Sequence, residues 1–529
     1  MRDESLTKSA THPHSEPNAT EPRPSLRAPE RPSDWGSLVA NLSRGRDEPT
    51  FHVHDKTHLE LAIDYRIRPG RALESFVWEA YFFAPESLRL DSRTYDKTDI
   101  YTDLQSYVRF EVPDVAFGDL AGEPIDKIRT ALEDSDEAAV REMRLFACQV
   151  RAAGVELRAR IVDALDAGEP ERERAEQAAA RMVAECQRIT PRLREALAPA
   201  AERGDPLETA AKWVEEDVSR LTETLLATVA QRLARAGAAE SLVELVERAA
   251  VAEAREREEH GIGHTGRLVM NAREIEALEF RRHLLKRFTS SVLWLSPEVR
   301  PASTWVRELL YAVAASVAMA FALGAAVWNG FQVGSEGLMT WVLVGVVAYA
   351  VKDRIKALLQ SKFSSVVDRH FPDRRWRIRD RERGVVLGEM NEQSGFIPVA
   401  DLPAPVLVAR RLTRRHELEE QARPETVLFH KKEVEVQAQR VALADPRFSA
   451  LTEIFRLDVS RWLSHTDDPK RDIVFADPIA GKIGSARAPR VYNLAVVFRL
   501  RREGEDSAPW HRLRVVVSRK GIRRVERIA

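Results

Sequence analysis

The sequence predicts a membrane protein: a hairpin of two transmembrane α-helices with cytoplasmic α+β parts, an antiparallel β unit and a helical bundle before the spans, and a smaller α+β domain after them. Three observations predict it. Leu309 to Trp328 is twenty residues without a charge, and at 1.5 Å per residue a helix of that length crosses about 30 Å of hydrocarbon. Upstream, apolar residues first alternate with period two and then recur at helical spacing. Downstream, the alternation returns.

The chain has 529 residues, which at about 150 per domain leaves room for about three domains. Its 81 basic residues balance 82 acidic ones, which argues against a general nucleic-acid coat, and no nucleic acid is expected among its partners. The balance is a sum of opposites: 44 basic and 57 acidic residues stand up to Val351, against 37 and 25 beyond it. Cys148 and Cys186 form no CxxC or Cys/His pattern, so neither a disulfide framework nor a zinc module is indicated.

Residues 1–48 are rich in Pro, Ser, Thr, Glu and Arg and lack the apolar core of a signal peptide, so they read as a disordered tail. The β unit occupies 49–123. Leu59, Leu61, Ile63, Tyr65 and Ile67 share one face, and Phe76, Trp78, Ala80 and Phe82 repeat it after Arg68-Pro69-Gly70, which predicts a hairpin. A further strand is expected within Tyr101–Val112. The bundle occupies 124–302, with four or five helices separated near Gly168, Pro191, Gly204 and Gly237. Its clearest stripe is Leu207, Ala211, Val214, Val218, Leu221, Leu225, Val229 and Leu233.

The transmembrane hairpin occupies 303–353, with spans at 309–328 and 337–351. The second uncharged run is short, and Lys352 and Arg354 would snorkel from its end. Lys and Arg flank both outer ends, while the connecting loop has none. The positive-inside rule then places both termini in the cytoplasm of a two-pass inner (plasma) membrane protein. Ala314, Ala318, Ala322 and Ala326 form a small-residue row suited to close helix packing, within the hairpin or between copies. A basic juxtamembrane helix and linker follow over 354–383, where Arg374, Arg375, Arg377, Arg379, Arg381 and Arg383 surround Trp376. The domain at 384–529 reads as strands near 384–398 and 426–436, an amphipathic helix over 445–465, and a terminal antiparallel meander.

Two groups of residues are candidate sites. Arg281, Arg282, Lys286, Arg287, Lys352, Arg354 and Lys356 flank the spans and would meet anionic lipid headgroups, each worth about 1 kcal/mol near the surface. His52 and His54 project from one strand face with His58 nearby, a geometry able to hold zinc or another divalent metal. Their order, HxHDxxH, departs from the HxHxDH of metallo-β-lactamases. No cofactor is predicted otherwise: Gly261, Gly263 and Gly266 follow charged helix rather than a strand, Gly481-Lys482 lacks a P-loop's other residues, and Asp467, Asp468, Asp472 and Asp477 read as a solvated loop.

These readings favour a membrane-anchored scaffold or regulatory adaptor over an enzyme, with a protein partner or a homo-oligomer, on a bilayer with anionic headgroups. A homo-oligomeric channel or transport component is the alternative, and a membrane-tethered metalloenzyme the second. The acidic helical part and the basic C-terminal part are expected to dock, leaving the N-terminal sheet available.

Overall fold

The computed structural model describes residues 50–528 except 69, 264, 265, 268, 303, 333–337, 413–424 and 506. The expected disordered tail at 1–48 lies outside the described residues. In chain order come β1 (Thr50–Val53), β2 (His58–Arg66), β3 (Glu74–Pro85), α1 (Lys97–Asp103) and β4 (Leu104–Phe110). The bundle is α2 (Glu123–Asp134), α3 (Asp136–Leu165), α4 (Glu171–Arg203), α5 (Leu207–Ala236), α6 (Glu240–Glu259) and α7 (Ala272–Ser290). Next are β5 (Ser296–Pro301), the long helices α8 (Thr304–Gln332) and α9 (Leu338–His370), β6 (Arg374–Arg379), β7 (Val386–Phe396), α10 (Ala404–Leu412), β8 (Glu425–Val436), α11 (Ala438–Ala444) and β9 (Ala450–Asp458). The chain ends with α12 (Ser460–Leu463), β10 (Lys470–Asp477), β11 (Lys482–Pro489), β12 (Tyr492–Arg502), β13 (His511–Ser518) and β14 (Gly521–Ile528).

The strands of the two chain ends interleave. An eight-stranded antiparallel sheet has the order β14-β13-β12-β3-β8-β7-β6-β5, and a four-stranded one the order β1-β2-β9-β4. Their facing side chains form one apolar core that includes Leu61, Tyr65, Trp78, Phe82, Phe455, Val434, Val496 and Val515. Burying aromatic and branched side chains between two sheets is the main stabilising term of such a sandwich, roughly 1.5–3 kcal/mol for each large residue. The first and last strand units therefore make one structure, and β3 is a central strand rather than an available surface.

The expected hairpin of β2 and β3 does not form. β2 pairs with β1 and β9, whereas β3 pairs with β8 and β12. The chain changes sheets between them, so their apolar faces oppose each other across the core, with the Tyr65 and Phe76 rings 5.3 Å apart. The same alternation suits facing strands and adjacent ones. The helix expected over 445–465 is also corrected. Its centre is β9, buried along almost its whole length, with only the short α12 helical after it, and a strand covered on both faces loses the alternation that marks it as β. The acids at 472 and 477 lie on a hairpin, β10–β11, where the Asp477 carboxylate accepts hydrogen bonds from the backbone N–H of Ile479 and Ala480.

The helical stripe packs as expected, with Leu207 through Leu233 buried in the bundle core. Gly237 closes α5 in the left-handed conformation at φ 69°. The Ser135 hydroxyl caps α3 by accepting from the Ala138 N–H, and Asn271 with Glu274 forms a capping box on α7. The bundle has six helices among the described residues: Pro191 lies inside α4 rather than ending it, while further breaks fall at Ser135 and after Glu259. Leu145 and Cys148 of α3 belong to the sandwich core, so the bundle sits directly on it. Arg447 bridges the same seam, donating to both oxygens of Glu142 (2.8 and 2.6 Å) and to Asp445, which also accepts from Arg141 at 2.9 Å. Burial raises the Asp445 pKa, but the hydrogen bonds from Arg447 outweigh it and hold the carboxyl at about 2.

One described helix is long and apolar enough to cross a membrane, over Thr304–Trp328, and little of its apolar window is buried within the protein. α9 does not meet that standard, because Lys352, Asp353 and Arg354 interrupt its apolar run. The two helices pack together. Ala314 and Ala318 are fully buried and Ala322 is half-buried, but Ala326 faces outward and Ala325 takes the next inward place. A row of strict fours drifts off a helix face that repeats every 3.6 residues.

Candidate functional site

The most elaborate polar constellation lies where the sandwich meets α8. An open cleft of about 800 Å³ is walled by α1 and β4 on one side and by the end of β5, the first turns of α8 and the start of β6 on the other. Lys97, Arg300, Arg307 and Arg374 contribute four cations to its lining, against one carboxylate, Asp373. Tyr101, Tyr107 and Trp376 supply aromatic surface.

Each residue is there for a local reason. β6 reads RRWRIR, and its alternation sends Trp376 and Ile378 into the core while Arg375 and Arg377 point outward. Arg377 then pairs with Glu389 at 3.2 Å, and Arg375 donates to the Asn391 side chain. At the mouth, Arg374 lies 4.0 Å from the centre of the Tyr101 ring, a cation–π contact that fixes the guanidinium in place. Asp96 caps α1 with a capping box, which orients Lys97 and Tyr101 on its first turns. Both present polar atoms to Asp373: Lys97 Nζ lies 2.5 Å from Oδ1, and the Tyr101 hydroxyl donates to Oδ2 at 2.7 Å. The Ser394 N–H donates to Oδ2 as well. Asp373 is thus occupied in holding α1, β6 and β7 together, and the cleft keeps an excess of positive charge. Burial, reinforced by the Asp373 carboxylate, pushes the Tyr101 hydroxyl far above its ordinary pKa, so it remains a donor.

Behind Trp376 lies a buried charge cluster between the sheets. Lys432 on β8 is fully buried and pairs with Glu453 on β9 and with Glu392 on β7 at 3.3 Å. Tyr65 donates to Glu453 at 2.6 Å, Trp376 Nε1 to Glu392 at 3.0 Å, and Lys432 also to the Ser106 hydroxyl. Burial alone would lower the Lys432 pKa, but Glu392 and Glu453 outweigh it and raise it, so the ammonium stays charged. His430 lies next to it, 2.5 Å from the Ser394 hydroxyl. Burial first, and the Lys432 charge second, drive its pKa well below the usual histidine range. It is neutral at physiological pH. Such a cluster fixes which strands face each other and is costly to break.

The residues predicted as sites fall elsewhere. Arg281 pairs with the buried Glu216 at 2.6 Å, and Arg282 donates to the Thr224 hydroxyl, so both are engaged with α5 of the bundle. Lys286 is half-buried and Arg287 exposed. Lys352 lies over the Tyr349 ring and 3.5 Å from Asp353, while Arg354 and Lys356 are exposed on α9. In the histidine group, His52 sits on β1 opposite Glu60, and His54 Nδ1 lies 3.6 Å from the buried Glu60 carboxylate. His58 Nδ1 lies 2.9 Å from Asp55. Partial burial raises the Asp55 pKa, yet hydrogen bonds from Thr57 and His58 bring it down to about 2. These contacts tie a tight turn. Among the described residues no group of three or more His, Cys, Asp and Glu side chains is arranged to hold a metal ion.

Sequence reasoning singled out Arg374 and Trp376 but not Lys97, Arg300 or Arg307 as their companions. They come from four separated segments with no shared motif. In comparisons with known proteins the chain matches no family, no curated protein and no solved structure.

Proposed function

We propose that the protein is a membrane-anchored scaffold or regulatory adaptor of the inner membrane, held by a two-pass hairpin with both termini and all its partner-binding surface in the cytoplasm. The observation that carries this reading is the clamp beneath the helices. β5 leads into α8, β6 follows α9, and the two strands pair along their length, ending at Pro301 opposite Arg374. A backbone hydrogen bond of 3.1 Å from Ala302 to Asp373 closes the ladder. A chain that leaves and re-enters at neighbouring points of one sheet crosses a bilayer an even number of times. If α8 crosses, α9 returns, its uncharged run Leu338–Val351 reaching about 21 Å, with Lys352 and Arg354 snorkelling from its end toward the interface.

The clamp also supports an adaptor more than a passive anchor, since any tilt of the helices is passed to the sheet edge without an intervening linker. The alanine row lends less support to a homo-oligomeric channel, because Ala314 and Ala318 are already covered within the chain. Reporter fusions test the topology. A reporter after residue 529 should be active only as a cytoplasmic fusion, and one inserted between 333 and 337 only as an external fusion; both on one side would overturn the two-pass reading. Native mass spectrometry of the gently extracted protein tests the adaptor, which requires a distinct protein at fixed stoichiometry. A symmetric ring of this chain alone would favour the channel instead.

A further inference from the structure

We propose that the cleft between α1, β5, α8 and β6 is a binding site for a phosphate-bearing anion at the membrane surface, the headgroup of an anionic phospholipid. The proposal rests on the membrane-anchored reading above, because it is the first turns of α8 that bring the cleft to headgroup level.

Three observations converge on it. The lining carries four cations and one carboxylate, and that carboxylate is engaged by Lys97, Tyr101 and the Ser394 N–H. Three of the cations, Lys97, Arg307 and Arg374, stand on α1, α8 and β6 and converge from several directions, while Arg300, the ladder partner of Arg375, borders the cleft from the outward face; guanidinium groups suit phosphate oxygens by their forked donors. Two of the wall residues, Thr304 and Arg307, belong to the apolar helix itself, at its start. The axial N–H groups of a long helix's first turn add partial positive charge at that spot. Tyr107 and Trp376 then offer an amphipathic surface for glycerol and the first acyl carbons, as aromatic side chains do at bilayer interfaces. At about 800 Å³ the cleft has room for a glycerophosphate headgroup with ordered water.

A lipid phosphodiester and a soluble phosphate ester present the same chemistry, and the experiment separates them. The full-length protein is reconstituted into nanodiscs of phosphatidylcholine alone or mixed with phosphatidylglycerol, and the lipids retained after detergent extraction are quantified by native mass spectrometry. The wild type should retain phosphatidylglycerol in preference to phosphatidylcholine. Arg307→Gln and Arg374→Gln should each reduce that preference about five-fold, the effect expected of one cation near an anionic surface. Arg375→Gln, on the outward face of the same strand and away from the cleft, should leave it unchanged. Because Arg374 also braces Tyr101, Arg307→Gln is the deciding variant if Arg374→Gln fails to fold, since Arg307 stands on the first turns of α8, outside the two sheets.

Glycerol 1-phosphate added to the detergent-extracted protein gives the second arm. Displacement of the retained lipid at millimolar concentration would assign the site to a soluble phosphate ester, and no displacement assigns it to the bilayer. A protein that resists alkaline extraction from membranes yet shows neither lipid preference nor glycerol phosphate binding overturns the cleft. A protein that washes off the membrane overturns the anchored reading beneath it.

Discussion

The bundle and the sandwich are both well-buried structures, but they are built from opposite kinds of information. Every helix of the bundle lies between Glu123 and Ser290, and each packs on near neighbours in the chain. The sandwich takes strands from both ends of the protein. β3 pairs with β8 and β12, and β2 with β9, so its central ladders join residues from before the bundle to residues beyond α8 and α9. The bundle can form from local periodicity, whereas the sandwich needs the whole chain.

The sharpest way to break the comparison is truncation. A chain ending at Leu412 loses β8, β9 and β12, and the remaining strands lose their principal partners. Far-UV circular dichroism should then keep the helical signal while the tertiary signal of Trp78, buried between the sheets, disappears. Loss of both signals would mean that the bundle depends on the sandwich.

Next in size is the buried charge cluster. Lys432→Met leaves the Glu392 and Glu453 carboxylates facing each other between the sheets, and should cost about 3–5 kcal/mol in urea unfolding of the full-length protein. Adding Glu392→Gln and Glu453→Gln should restore part of it, since the penalty lies in the unpaired charges. The seam is weaker. Arg447→Ala removes hydrogen bonds to Glu142 and Asp445 and should cost about 2 kcal/mol. Two thermal transitions where the wild type shows one would identify the seam as the coupling between the two regions.

The smallest effect concerns pH. His430 titrates in the unfolded chain near 6.5 but stays neutral in the fold until well below that value. Its contribution is therefore intact above about pH 6.5 and is lost as the pH falls, because the unfolded chain takes up a proton that the fold excludes. Between pH 7.5 and 5.5 this amounts to about 1.4 kcal/mol. His430→Gln should flatten the stability profile by that difference, measured from urea midpoints at the two values.

The same contrast explains what was legible in the sequence. Leu207 to Leu233 reveals α5 because the core it faces comes from adjacent helices. Leu59 to Tyr65 and Phe76 to Phe82 reveal strands, but alternation is blind to whether two such strands lie side by side or face to face. β9 does not show as a strand because Thr452 and Glu453 are as buried as Leu451 and Phe455, so no polar face marks the period. The cleft was hidden for another reason. Its cations stand in four segments that become neighbours only when β5 pairs with β6 and α1 is pinned through Asp373.

The interleaved strand order also governs how the protein is made. Ala84 and its partner Thr426 are 342 residues apart, and at 5–20 residues per second a ribosome needs about 20 to 70 seconds to travel between them. During that interval the bundle is complete and the helical hairpin has emerged, while the strands at the N-terminal end wait with open edges and exposed aromatic faces. The β-sheet cannot close before α8 and α9 have been made. The newborn chain therefore completes its helices before it commits to the shape of its sheets, and anything that slows synthesis of the C-terminal strands leaves an aggregation-prone edge exposed for as long.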